Sequence, residues 1–320
     1  MVAWDGTPVA VTGGDGFVGR SLVAALEALG ARVQIPHSRE HDLRTADGAR
    51  AAVWGADVVF HLAARVGGIG FNSRHPALLV HDNLMLGSQV FEQSRLAGVR
   101  RLVAVSSVCA YPESPPAPFQ ERDLWTGYPE RSNAPYGIAK RVLTTLSEAY
   151  WAEHAFSSCV PILTNLYGPG DDDDLEDSHV IPALIRKFLA AGEVPDEPVV
   201  VWGTGRATRD FLFVEDAAWA LILAAEKGGD GQAFNIGSGN EHSIAEIVQL
   251  IGRLSGLERE VIWDHSRPDG QHHRPLDLSR ARELLGFEAR VSLEEGLRRT
   301  IAAARERFAA RMRSARAQRA

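Results

Sequence analysis

Cysteine is scarce in this 320-residue chain: Cys109 and Cys159 are its only two, and they have no CxxC spacing. A disulfide framework or a thiolate metal site therefore has no basis in the sequence, and each cysteine is either packing material or chemistry. Long apolar runs are missing too. None approaches the roughly 20 residues of a membrane span, and "MVAWDGTP" leads into a strand without a charged-then-apolar leader. The expectation is a cytoplasmic protein with no membrane partner. Excess positive charge is lacking: the formal net charge is -7 and the pI near 5.9, so no general nucleic-acid partner is expected, because phosphate neutralisation needs a basic face. Basic residues gather in the tail "LRRTIAAARERFAARMRSARAQRA", whose apolar Leu297, Ile301 and Phe308 have helical spacing. It reads as a solvated terminal helix.

What the chain does have is rhythm. "PVAVTGGDGFVGRSLVAALEALGARVQIP" runs strand, glycine turn, helix, glycine, strand. Strands recur at "ADVVFHLAA", "RRLVAVSS" and "CVPILTNLYG", with helical stretches between them. This alternation predicts an α/β fold, a Rossmann-type doubly wound parallel sheet, with ligands at the carboxyl ends of the strands. After about Tyr167 polar loops lengthen. We expect a dinucleotide-binding domain over 1–167, with segments near 200–240 returning to it, and a smaller, interleaved substrate-binding region over 168–320.

"TGGDGFVG" carries Gly13, Gly16 and Gly19, with Gly14, Asp15, Phe17 and Val18 between them, where a strand meets a helix. Glycines there let the backbone approach a pyrophosphate, whose charge the helix N-terminus meets. An acidic residue ending the second strand would bind the ribose hydroxyls of NAD; "IPHSRE" offers His37, Ser38 and Arg39, which suits a 2′-phosphate, so the expected cofactor is NADP(H). Glu40 and Asp42 follow closely and keep NAD open. His37 and His41 lie in a loop and lack the glutamate of a zinc motif; no metal is expected.

"YGIAK" sets Tyr136 and Lys140 four apart at a helix start, hence on one face. A nearby ammonium is expected to lower the phenol's pKa and ready it for proton exchange. "SSVCAYP" closes the fourth strand, and strand alternation would turn Ser107 and Cys109 to one side. For Cys109 two readings stand: a small buried filler, or an acid/base group for a carbon-bound proton. His179 either caps its helix, where Ser178 is the better cap, or acts in catalysis; Trp202 either is core or meets a ligand.

The glycine loop with Ser107, Tyr136 and Lys140 resembles the extended short-chain dehydrogenases/reductases. "AARVGGIGFN", "SSVCAYP", "YGIAK", "TNLYGP", "SHVIPALIRKF", "VWGTG", "TRDFLFVED", "NIGSG" and "RPDG", in that order, resemble the GDP-L-fucose synthase family across essentially the whole chain. That family comprises NADPH-dependent 3,5-epimerase/4-reductases acting on GDP-4-keto-6-deoxy-mannose. The resemblance implies Cys109 and His179 as the acid/base pair at carbons 3 and 5. It also implies Leu62, Ala63, Ala64, Asn165, Leu166, Lys140 and His179 along the cofactor, and Lys187, Trp202, Arg209 and Asp277 on a GDP-sugar. A homodimer through helices near 75–97 and 135–154 is implied as well. Lys187, Leu163, Arg65 and "HHRPLD" depart from the family pattern near the expected substrate. The acidic pair of the related 4,6-dehydratases is absent at Val108 and Cys109. Two other functions stay open: a nucleotide-sugar 3,5-epimerase without net reduction, resembling GDP-mannose 3,5-epimerase, and a non-enzymatic NADP-binding sensor. The run "DDDDLED" lacks the alternating spacing of a calcium loop and reads as a solvated loop over the sugar.

Overall fold

Val9 and Val11 of the first strand enter one core and Ala10 another, as a strand buried on both faces requires. The computed structural model describes residues 2–67, 69–171, 179–257, 259–266 and 271–317; "DDDDLED" beyond Asp171, Ser178 and "RPDG" lie outside the described residues. The chain opens with β1 (Pro8–Thr12), α1 (Phe17–Ala28), β2 (Arg32–Gln34), α2 (Ala46–Val53) and β3 (Val58–His61). It continues with α3 (Ile69–Arg74), α4 (Pro76–Leu96), β4 (Arg101–Ala104), β5 (Ser106–Ser107) and α5 (Ala134–His154). Next come β6 (Ser158–Leu163), β7 (Asn165–Tyr167), α6 (Val180–Gly192), β8 (Val199–Trp202) and β9 (Thr208–Phe213). The last elements are α7 (Val214–Lys227), β10 (Gln232–Ile236), β11 (Glu241–Ser243), α8 (Ile244–Ser255), β12 (Val261–Asp264), α9 (Ser279–Leu285) and α10 (Leu293–Ala317).

The main sheet runs β10, β6, β4, β3, β1, β2, every neighbouring pair parallel, with β5 beside β6. The chain goes from β1 to one side for β2 and to the other for β3, so the order reverses between β1 and β3. A crevice for a ligand lies outside the carboxyl ends at such a reversal. Helices α1 and α7 cover one face, and α2, α4 and α5 the other. Phe60 and Phe234 are fully buried in the first core, each contributing about 2–3 kcal/mol of apolar burial. Cys159 is filler in that core, its sulfur against the Ala224 carbonyl.

A third core joins α6, α8 and α10 to β8 and β9. There β9 pairs with β7 and β11, and β8 with β12. The strong ends of α8 are legible in sequence: Ser243 and Glu246 form a reciprocal capping box, and Gly256, at φ 62°, ends the helix in the left-handed region. No helix among the described residues is long and apolar enough to cross a membrane.

His61 closes β3 at the reversal point, with Nδ1 2.8 Å from the Thr12 hydroxyl and 1% exposure. Burial first, and the Lys140 charge second, pull its pKa down to about 3. The folded protein therefore holds His61 neutral, while the unfolded chain takes up a proton below about 6.5. The resulting stabilisation is complete above pH 6.5 and is lost as pH falls towards 3. Chemical denaturation from pH 7 to pH 4 is expected to show a drop on the order of 3 kcal/mol from this residue. A His61→Gln variant is expected to lose correspondingly less over the same range.

Candidate active site

Glycine loop and crevice meet at the start of α1. Gly13 sits at φ 74°, and a Cβ there would lie 2.9 Å from the Ala63 amide nitrogen. One on Gly14 would lie 2.8 Å from the Ile35 side chain, and one on Gly19 would collide with the Gly13 carbonyl. Gly16 precedes α1 with no side-chain cap, so the amides of its first turn face outward for an anion. The cradle fits a dinucleotide pyrophosphate. Leu62, Ala63 and Ala64, all half-buried, follow β3 along its wall. At the tip beyond β2, Arg39 is exposed, and Asp15 of the loop bonds His37 Nδ1 at 2.6 Å.

The strand expected through "SSVCAYP" stops early. β5 ends at Ser107, and Val108–Ala110 form a 3₁₀ turn whose first carbonyl the Tyr111 amide closes at 3.2 Å. Ser107 and Cys109 still come together, for a different reason: the Ser107 hydroxyl caps the turn by accepting the Cys109 amide at 3.3 Å. The half-buried Cys109 lies against the first turn of α5, where Tyr136 immediately precedes Gly137. Sequence reasoning missed Gly137. A Cβ on it would run into the Cys109 carbonyl, so glycine lets the first turn of α5 abut the cysteine turn. Glycine directly after the tyrosine was the available signal.

Lys140, one turn further along α5, is 5% exposed. Its ammonium donates to the Val105 carbonyl at 2.8 Å and lies 5.9 Å from the centre of the Tyr136 ring. Burial lowers its pKa to about 8. The expected lowering of the phenol is overturned. Burial raises the Tyr136 pKa, Cys109 adds to the rise, and the Ser107 hydrogen bond only partly opposes it. Desolvation of a phenolate outweighs one hydrogen bond, so Tyr136 stands protonated at neutral pH.

Other expected residues come from the third core and its surroundings. His179 immediately precedes α6, with its side chain 70% exposed and Nδ1 3.3 Å from the buried Asp171 carboxylate. Asn165 and Leu166 are half-buried in β7, and the Asn165 amide donates to the Asp210 carbonyl at 3.1 Å. Lys187 donates to the Val200 carbonyl at 2.9 Å and lies 5.1 Å over the half-exposed Trp202 ring, which excludes Trp202 as core. Arg209, on β9, donates to the Thr208 carbonyl. Asp277 is engaged locally: its carboxylate accepts the Ser279 amide and hydroxyl and, at 2.9 Å, the Gln120 amide. These bonds hold its pKa below the usual carboxylate range.

A phosphate cradle at the sheet's reversal point, with a serine, a tyrosine and a buried lysine at the neighbouring strand ends, defines a nicotinamide-dinucleotide protein of the short-chain dehydrogenase/reductase class. Residues 9–237 match the family described as NAD dependent epimerase/dehydratase. A probable GDP-L-fucose synthase 1 from Oryza sativa is 37% identical over 93% of this chain and 92% of its own. A GDP-L-fucose synthase from Sinorhizobium fredii is 34% identical over 93% and 95%. Among solved structures, a GDP-L-fucose synthetase from Naegleria fowleri bound to NADP superposes with a TM-score of 0.86 at 26% identity, covering 96% of this chain and 95% of that one. The chain belongs to the NAD dependent epimerase/dehydratase family, in its GDP-L-fucose synthase branch.

Gly137→Ala is expected to force α5 away from the Cys109 turn. It should cost about 1–3 kcal/mol of stability, as overpacking does, and lower turnover at least tenfold because the reacting groups shift. Thermal unfolding and steady-state kinetics check both.

Proposed function

We propose that this chain is an NADPH-dependent 3,5-epimerase/4-reductase of a GDP-linked 4-keto-6-deoxyhexose, most directly converting GDP-4-keto-6-deoxy-D-mannose to GDP-L-fucose. The observation that carries the reading is the Cys109 turn, capped by the Ser107 hydroxyl and packed against the first turn of α5, which carries Tyr136 and Gly137. Dehydration would call for an acidic pair where the chain has Val108 and Cys109.

A ketone at carbon 4 acidifies the protons at carbons 3 and 5, so one base and one acid suffice to invert both centres. Cys109 and His179 exchange those protons, while Ser107 and Tyr136 hold the carbonyl oxygen as it gains charge. The bound dinucleotide supplies the hydride for carbon 4. Tyr136 donates the matching proton to the oxygen. A phenol kept protonated by its raised pKa suits that direction. Lys140 steadies the phenol's surroundings and the cofactor ribose. Gly13, Gly14, Gly16 and Gly19 make room for the pyrophosphate, with Asp15, Phe17 and Val18 completing the loop; Leu62, Ala63, Ala64, Asn165 and Leu166 extend the same groove. Lys187, Trp202, Arg209 and Asp277 receive the GDP-sugar, with Lys187 providing a point charge for phosphate and Trp202 an exposed aromatic plane. A homodimer through α4 and α5 belongs to the same reading.

With NADPH and the keto sugar in D2O, the protein is expected to oxidise NADPH and to place deuterium at carbons 3 and 5. Tyr136→Phe is expected to slow NADPH oxidation about 10²- to 10⁴-fold while deuterium still enters; Cys109→Ser is expected to suppress entry at one carbon at least. A wild-type product free of deuterium would sink the epimerase half of the reading, and unchanged NADPH the reductase half.

Cofactor choice is a separate prediction. Loss of the guanidinium in Arg39→Ala is expected to raise the KM for NADPH about 10- to 100-fold and leave that for NADH unchanged. Equal changes for both cofactors would count against a 2′-phosphate contact.

A further inference from the structure

The Asp171 side chain is 3% exposed, while the His179 ring beside it is 70% exposed. Both carboxylate oxygens lie within reach of His179 Nδ1, at 3.3 and 3.4 Å. A carboxylate drawn into the protein is costly unless a donor meets it, and an ionised carboxylate only accepts. A nitrogen lone pair facing those oxygens would be repelled, so the contact calls for hydrogen on Nδ1, which leaves the lone pair of the neutral ring on Nε2.

The backbone around Asp171 is clamped from two directions. Arg307 of α10 donates to the Asp171 carbonyl at 3.0 Å. Arg20 of α1 donates both to the Gly170 carbonyl, at 2.7 Å, and to the Asp15 carbonyl of the glycine loop. A Cβ on Gly170, at φ 89°, would lie 2.9 Å from the Arg20 guanidinium. The turn that carries Asp171 is thus tied to the dinucleotide cradle on one side and to the third core on the other.

We infer that Asp171 is a positioning residue for His179, fixing its tautomer and ring orientation so that Nε2 exchanges the substrate's carbon-bound proton. The inference rests on the epimerase reading for its use, but its physical content, the tautomer, is measurable without turnover. A base whose orientation is set by a carboxylate on its second nitrogen recurs wherever histidine moves protons.

The test uses 15N-histidine-labelled full-length protein, with a His179→Gln variant assigning the signals. Neutral His179 is expected in the Nδ1–H form in the wild type. Asp171→Asn is expected to move it towards the Nε2–H form that free imidazole prefers; Asp171→Glu, which keeps the charge, is expected to retain the wild-type signature. Deuterium entry at the carbon His179 serves is expected to fall about 10- to 100-fold in Asp171→Asn and to recover partly in Asp171→Glu. An unchanged tautomer in Asp171→Asn overturns the pairing. A switched tautomer with unchanged deuterium entry overturns its part in catalysis. Wild-type protein that shows the Nδ1–H signature but exchanges no deuterium overturns the epimerase reading instead, with the pairing itself intact.

Discussion

One buried ammonium organises the carboxyl edge of the sheet. Lys140 donates to the Val105 carbonyl, and its own carbonyl accepts the Ser106 hydroxyl at 3.0 Å. Two bonds therefore rivet α5 to the junction between β4 and β5. Tyr136, one helical turn earlier, is brought to the same strand ends by that attachment. Burying a cation is expensive, and the cost is visible in the lowered pKa of Lys140; its charge also adds to the burial that keeps His61 neutral. The arrangement stays stable because the packed faces of α4 and α5 supply the surrounding apolar burial.

The cysteine turn is held from below as well as from α5. Arg141 Nε donates to the Ala110 carbonyl at 2.8 Å, and the Tyr111 hydroxyl to the Asn235 side chain on β10 at 2.7 Å. Asn235 in turn donates to the Phe119 and Asp277 carbonyls. A loop so knitted keeps the Cys109 backbone in place, which matters because a displacement of an ångström at reacting groups costs orders of magnitude in rate. Asp277 belongs to this knitting through its backbone and to a local turn through its carboxylate, two roles that spacing along the chain does not display.

Most of the architecture was legible because it is local or periodic. The apolar runs of β1 and β3, the helix between the glycine turn and β2, and the glycine cradle follow from properties of a few adjacent residues. So did Tyr136 with Lys140, since four residues on a helix share a face. Cys109 shows where such reasoning stops. Period-two alternation put it beside Ser107, and it is beside Ser107, but through a capped 3₁₀ turn that lies against Gly137. The direction of the Tyr136 shift was misread for a related reason: proximity of a lysine is a sequence fact, whereas burial of the phenol is a property of everything folded over it.

Taken alone, the order of residues determined the elements, the phosphate cradle and the chemical types available for catalysis, because those depend on backbone preference and short-range spacing. Only the tertiary structure decided which carboxylate meets His179, that Lys187 lies over the Trp202 ring, and whether the phenol holds or releases its proton. These depend on desolvation and on contacts between segments far apart in the chain, and neither quantity is carried by local sequence.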